Sequence, residues 1–150
     1  SEIAISAARV VRLFGFDPKV AFVSHSTFGQ PVTNRTKHIK KAVDILKEKN
    51  VDFDFDGDMQ PDVALNKDYK NLYPFSNIVG NANILIMPGQ HSAAISYKMM
   101  KELGDTKVIG PLLIGLGLPI EIAPLRTSTS ELINLASIAA YSADVIDYKK

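Results

Sequence analysis

The 150-residue chain contains no cysteine. Disulfide frameworks, thiolate nucleophiles and cysteine-bound zinc are therefore excluded, and a cytoplasmic location is the expectation compatible with that composition. Charge of one sign is not in excess either: a formal net charge of +1 leaves no electrostatic footprint for nucleic acid. Long hydrophobic runs are missing. The most apolar region, residues 108–124, is broken by three glycines and three prolines and cannot span a membrane. The first fifteen residues carry no signal-peptide cleavage pattern. Walker, Gly-x-Gly-x-x-Gly and Gly-x-Ser-x-Gly patterns are all absent, so neither a nucleotide-cofactor fingerprint nor a nucleophile elbow can be assigned. No internal repeat or low-complexity segment stands out.

What is present is ordinary for a globular protein, with 46% apolar and 22% charged residues. The length suits one domain or a large part of a bigger one. Ile3, Ala7, Val10, Val11 and Phe14 fall at helical spacing, with Gly15 as a stop before the Asp17-Pro18 turn. With a helix opening almost at residue 1, missing upstream sequence is an expectation. Residues 19–24 read as a buried strand. Ile39, Ala42, Val43 and Leu46 mark one face of a second helix, opposite Lys37, Lys40, Lys41 and Lys47. Residues 52–55 alternate acid and aromatic like a half-exposed strand, a short helix follows Pro61, and residues 69–81 are loop-like.

Residues 84–87 form the central strand, ended by Pro88 and Gly89, with a helix opening near Ser92 and running to Leu103. Its unpaired N–H groups suit an anion, and Ser92 as a simple N-cap is the competing reading. Residues 108–115 and 120–123 are two more short strands or extended segments. Ser128-x-x-Glu131 is a capping-box pattern that opens the last helix, which runs through Leu132, Leu135, Ala136, Ala139 and Ala143. Strands alternating with helices predict an α/β layer fold with a substantially parallel sheet.

Three constellations invite chemistry. Asp52, Asp54, Asp56 and Gly57 resemble the opening of a calcium loop, but Val63 stands where a bidentate Glu is needed and Pro61 interrupts. Asp56 and Asp58 beside a glycine turn could be functional, but exposed turn carboxylates are the commoner case and the expectation here. Ser24, His25, Ser26, Thr27 and Gly29 follow a strand, where open α/β sheets place ligands. Hydrogen-bonding contacts are expected there in preference to a Ser-His-Asp triad, because adjacent Ser24 and His25 point to opposite sides. Asn34 to His38 gathers cations at a helix start, and Arg35 could fork onto a phosphate or belong to a solvated face.

The stretches RLFGFDPKVAFVSHSTFGQP, DFDGDMQPDVAL, YPFSNIVGNANILIMPGQHSAAISYKMM, VIGPLLIGL and ELINLASIAAYSAD cover nearly the whole chain. Together they resemble the phosphotransacetylase-like C-terminal domain of bacterial NADP-dependent malic enzymes. The resemblance implies a three-layer α/β/α sandwich like that of isocitrate and isopropylmalate dehydrogenases. Residues 1–150 would be the C-terminal portion of a phosphate acetyl/butyryl transferase-like domain, with the malic module upstream and absent. That module would hold NADP and Mg or Mn, and no cofactor or metal site is expected in the present chain.

One departure matters. Phosphate acetyltransferases carry a Ser-Arg pair whose register falls here on Pro124 and Leu125, and neither can stabilise a phosphate-bearing transition state. Arg126 is one residue away, still without the serine. The resemblance therefore implies a non-catalytic regulatory and oligomerising module that responds to acetyl-CoA or a related acyl-CoA. The alternatives are a phosphate acetyltransferase fragment transferring acetyl between CoA and phosphate, and a purely structural oligomerisation domain. The effector contacts expected are Ser26, Thr27, Gly29, Arg35, His91, Ser92, Arg126, Thr127 and Ser128. Self-association is expected through the small residues Ala136, Ala139, Ala140 and Ala143.

Overall fold

The computed structural model describes residues 1–104 and 107–145. The chain forms two compact units, Ser1–Tyr97 and Lys98–Lys150. The first contains α1 (Glu2–Leu13), β1 (Lys19–Val23), α2 (Asn34–Glu48), β2 (Asp54–Met59), α3 (Pro61–Leu65), a 3-10 turn (Lys67–Leu72) and β3 (Ile84–Ile86). Helix α4 (Gln90–Leu103) runs across the boundary, and α5 (Thr129–Val145) belongs to the second unit. The strands make a parallel sheet in the order β2-β1-β3, with Val20 paired to Phe55 on one side and Ile84 on the other. Parallel neighbours need crossover connections, and the helices supply them.

Alternation along β1 decides the layers, because successive strand side chains point to opposite faces. Val20 and Phe22 pack with Ala4 and Ala8 of α1, Val43 and Leu46 of α2, and Ile84 of β3. Ala21 points the other way and meets Met59, Ala64 of α3, Ile78 and Ala82. A central strand covered on both faces reads as an unbroken apolar run, which is what Val20 to Val23 shows. The first unit is therefore three-layered and α/β, as the sequence predicts.

Helix boundaries follow local chemistry. Gly15 adopts a left-handed φ of +81° and its N–H bonds the Arg12 carbonyl, closing α1 at the expected stop. Thr33 caps α2 by accepting from the Thr36 N–H, while Thr36 Oγ1 accepts from the Thr33 N–H. The Ser128–Glu131 box is present at α5: Ser128 N–H donates to Glu131 Oε2 at 2.7 Å and Glu131 N–H to Ser128 Oγ at 3.3 Å.

Several expectations need correction. The second strand runs over Asp54–Met59, later than residues 52–55, because Asp54 to Gly57 pair with Lys19 to Phe22. Of the two forms expected for residues 108–115 and 120–123, strands or extended segments, the structure shows the second: among the described residues they contribute a single antiparallel bridge, Leu112 to Glu121, and no ladder. Pro111, Pro119 and Pro124 have no N–H to donate to one. The stretch 69–81 begins inside the 3-10 turn. Helix α4 starts at Gln90, so Ser92 lies within its first turn, and its hydroxyl donates to the Gly89 carbonyl at 2.7 Å. Ser92 is not the N-cap.

Candidate functional site

The loop after β1 is built inward. Ser26 is fully buried and its hydroxyl donates to Asp58, whose other oxygen accepts from the Gly29 N–H at 3.1 Å. Thr27 Oγ1 accepts from the Gln60 N–H at 3.2 Å. These hydroxyls are engaged in holding β1 to β2, which makes Ser26 and Thr27 parts of the framework under the loop. Ser24 Oγ lies 3.3 Å from Ser26 Oγ and 3.4 Å from His25 Nδ1. Asp58 thus reaches a serine and not the imidazole, so the order His25–Ser24–Ser26–Asp58 is not that of a Ser-His-Asp relay.

Asp56 and Asp58 overturn the expectation of exposed turn carboxylates: both lie in β2 and are buried. Asp56 accepts from the Gly57 N–H at 2.9 Å and the Asn77 N–H at 2.7 Å, and Asp54 accepts from the Val79 N–H at 3.3 Å. A carboxylate taking several N–H bonds is tolerated in the interior, since buried polar groups are costly only when left unbonded. The alternate acids of this stretch pin neighbouring loops. Among the described residues no three His, Asp or Glu side chains gather as metal ligands.

The expected anion contacts gather elsewhere, and only in part. Arg35 of α2 and His91 and Ser92 of α4 rim one cleft of about 560 Å³. Its floor is apolar, formed by Phe22, Ile39, Ala42, Ile86 and Met87. His38, one helical turn beyond Arg35, joins the rim. The i, i+3 spacing of Arg35 and His38 at a helix start was the available signal for it. The cleft lies beyond the C-terminal ends of β1 and β3. There the chain leaves β1 toward β2 on one side and returns to β3 on the other, the switch point at which α/β sheets hold ligands. No carboxylate lines it, and Arg35, His38 and His91 form no ion pair among the described residues. Such a cleft, apolar below and with the Arg35 guanidinium and two imidazoles above, suits a ligand with a flat or aliphatic body and phosphates.

Gly29 lies instead on a second cleft of about 500 Å³, on the other flank of α2. There Lys37, Lys40 and Lys47 face Asp44, Asp56 and Asp58, so the cationic bias is cancelled. In the second unit Arg126 and Thr127 line a recess of about 80 Å³ with Lys101 and Glu131. Ser128 is engaged in the α5 cap, its hydroxyl donating to Glu131 Oε2 at 2.8 Å. Backbone and hydroxyl donation from Ser128, with Lys101 alongside, holds the Glu131 carboxyl below its ordinary range. At Pro124 and Leu125 no donor is found: the Pro124 carbonyl accepts from the Thr127 N–H at 3.0 Å, and the Leu125 side chain is fully exposed.

Comparison with known proteins decides the family. The phosphate acetyl/butaryl transferase family model matches residues 1–140. The chain belongs to this family. It is 48% identical over 143 residues to an NADP-dependent malic enzyme of Rhizobium meliloti, covering 95% of the chain but 19% of that enzyme. It is 34% identical to the phosphate acetyltransferase of Bacillus subtilis, covering 95% of the chain and 45% of that protein. A phosphotransacetylase from Streptococcus pyogenes superimposes with a TM-score of 0.87 at 33% identity, over 95% of the chain and 44% of its own. The EutD phosphotransacetylase from Staphylococcus aureus gives 0.86 at 31%, with the same coverage. The chain thus spans less than half of its family relatives and about a fifth of the malic enzyme. Among the described residues no helix is long and apolar enough to cross a membrane.

Proposed function

We propose that residues 1–150 are the C-terminal portion of a regulatory and oligomerising phosphotransacetylase-like domain in an NADP-dependent malic enzyme. The parent oxidatively decarboxylates malate to pyruvate and CO2, with NADP and Mg or Mn held in a module upstream. The chain by itself oxidises no malate, and its part is to respond to acetyl-CoA or a related acyl-CoA. The observation that carries this reading is the pair Pro124 and Leu125 at the register of the expected Ser-Arg pair. One is a turn residue and the other an exposed apolar side chain, and neither side chain offers a donor or a charge to a phosphate. The effector belongs in the cleft at the switch point, its phosphates toward Arg35, His38, His91 and Ser92 and its less polar part over Phe22 and Ile86.

The exposed positions Ala136, Ala140 and Ala143 on α5 support self-association as a dimer or higher homo-oligomer. Sedimentation showing only monomer at tens of micromolar would remove that part.

The test is the full-length enzyme. Acetyl-CoA should shift its malate oxidation, and acetyl phosphate formation from acetyl-CoA and phosphate should fall far below an ordinary turnover of about 10 per second. Turnover at that level would favour the second reading, an acetyltransferase. The observation that keeps it in view is Arg126 beside Lys101 in a recess large enough for one phosphate.

A further inference from the structure

Two of the three histidines in the chain, His38 and His91, line the cleft beyond β1 and β3. They stand on different elements, α2 and α4, and every residue of this cleft lies within the first unit. Both are exposed, and neither forms an ion pair among the described residues. The charged and titratable groups that share the cleft with them are Arg35 of α2 and the amino group of Ser1, which precedes α1. The strands contribute only the apolar Phe22 and Ile86, and none of the lining residues is acidic. Arg35 stays charged at any working pH, whereas an imidazole gains or loses its charge between pH 5 and 8. A guanidinium and a second imidazole, without an offsetting carboxylate, oppose protonation of each ring. A phosphate placed among them favours it.

We infer that this cleft takes up protons with its ligand: a phosphate seated beside Arg35 binds more tightly as pH falls through neutrality, because His38 and His91 become imidazolium in the complex. The inference rests on the effector reading above and names how that site is regulated. The protons come from solvent, and no bond of the ligand changes. A ring whose titration is raised in the complex contributes its full share of affinity below the free ring's range. That share is lost as pH rises through the bound one. Arg35 supplies the constant part of the attraction, and the two imidazoles supply the part that pH controls. The acyl-CoA response therefore strengthens as the medium moves from mildly alkaline to neutral.

Calorimetric titration of the 150-residue chain with acetyl-CoA, between about pH 7 and 8.5, tests this. A phosphate monoester, whose second ionisation lies at about 6, keeps a nearly constant charge over that window. Raising one imidazole by about one unit weakens binding about three-fold across it, so the pair should give about ten-fold. Repeating the neutral titration in buffers of different ionisation heat should show about one proton taken up per ligand. His38→Gln combined with His91→Gln should flatten the pH dependence and abolish the uptake. His38→Lys, whose charge persists to the alkaline end, should bind more tightly there than the native chain. The Ser1 amino group remains in every variant, so a pH dependence that persists in the double variant would overturn the inference. Affinity unchanged across the window, with no proton uptake, would do the same, and both results leave the effector reading standing. Absence of binding at either end would overturn the effector reading itself, and this inference with it.

Discussion

Residues 1–97 bury two apolar clusters on opposite faces of a sheet, whereas Leu135 is the single buried residue among those described from 98 to 145. The contrast runs against hydropathy, since residues 108–124 are the most apolar region of the chain. Leu103, Leu118 and Leu125 are 81%, 66% and 107% exposed. Apolar content makes a core only where the backbone can also pair, and the strands of the first unit do so. Prolines at 111, 119 and 124 deny the second unit a ladder. A unit of that size with so little buried has little hydrophobic stabilisation of its own.

The largest expected effects probe this difference directly. Leu46→Ala in the first core should cost about 2–5 kcal/mol in denaturant unfolding of the chain, because a fully buried leucine leaves a cavity. Leu125→Ala should stay within about 0.5 kcal/mol. Comparable losses for the two would break the comparison. Somewhat smaller effects are expected at the junction of β1 and β2. A Cβ on Gly57 would stand 2.7 Å from Phe22 Cβ and 2.8 Å from the Phe22 carbonyl oxygen, so Gly57→Ala should lose about 1–3 kcal/mol. Asp58→Ala strands the Gly29 N–H and the buried Ser26 hydroxyl and belongs in a similar range, about 1.5–3 kcal/mol.

These positions also show what was legible in the chain. The run from Val20 to Val23, the Gly15 stop, the helix after Pro61 and the Ser128–Glu131 box are local patterns, and the structure keeps all of them. Asp56 and Asp58 were misplaced because their partners are remote. Asn77 lies 21 positions from Asp56 and Ser26 lies 32 from Asp58, and only the strand order brings them together. The Thr33–Thr36 cap was missed because a threonine stands where the pattern has Glu or Gln. The positions expected for an effector are scattered by the fold for a similar reason. Loop positions after strands can be recognised, but which hydroxyls turn inward depends on the neighbouring strand. Ser26 and Thr27 turned inward, while Arg35, His91 and the unforeseen His38 face one cleft.

A smaller effect separates the two units by chemistry. In the full-length enzyme Arg35→Ala should weaken the acetyl-CoA response about ten-fold, as loss of a charge-assisted contact would. His38→Ala should weaken it less. Lys47→Ala, on the opposite flank of α2, should leave it unchanged. A response lost with Arg126→Ala and kept with Arg35→Ala would move the effector to the second unit.

The smallest effect is a difference in acid sensitivity. Glu131 is more acidic in the folded chain than its ordinary value of 4.5, through donation from Ser128 and then Lys101. Asp52 is likewise held below 3.8, chiefly by the Arg12 side chain. A depressed folded value means that the unfolded chain takes up its proton first. Each carboxylate therefore contributes stability above its ordinary value, and the contribution disappears as pH falls through the lower folded one. Both groups are exposed and screened, so the consequences should be local. In the first unit two buried clusters hold the fold whether or not Asp52 is charged, and Asp52→Asn should leave its acid unfolding unchanged. In the second unit Glu131 ties the cap of α5 to α4 with almost no buried surface beside it. Amide protection over residues 131–145, corrected for the intrinsic pH dependence of exchange, should therefore fall as pH drops below 5, ahead of residues 19–23. Glu131→Gln should lower that protection already at pH 6 and flatten its pH dependence below. If the two regions lose protection together, acid is acting through the shared fold and not through this carboxylate.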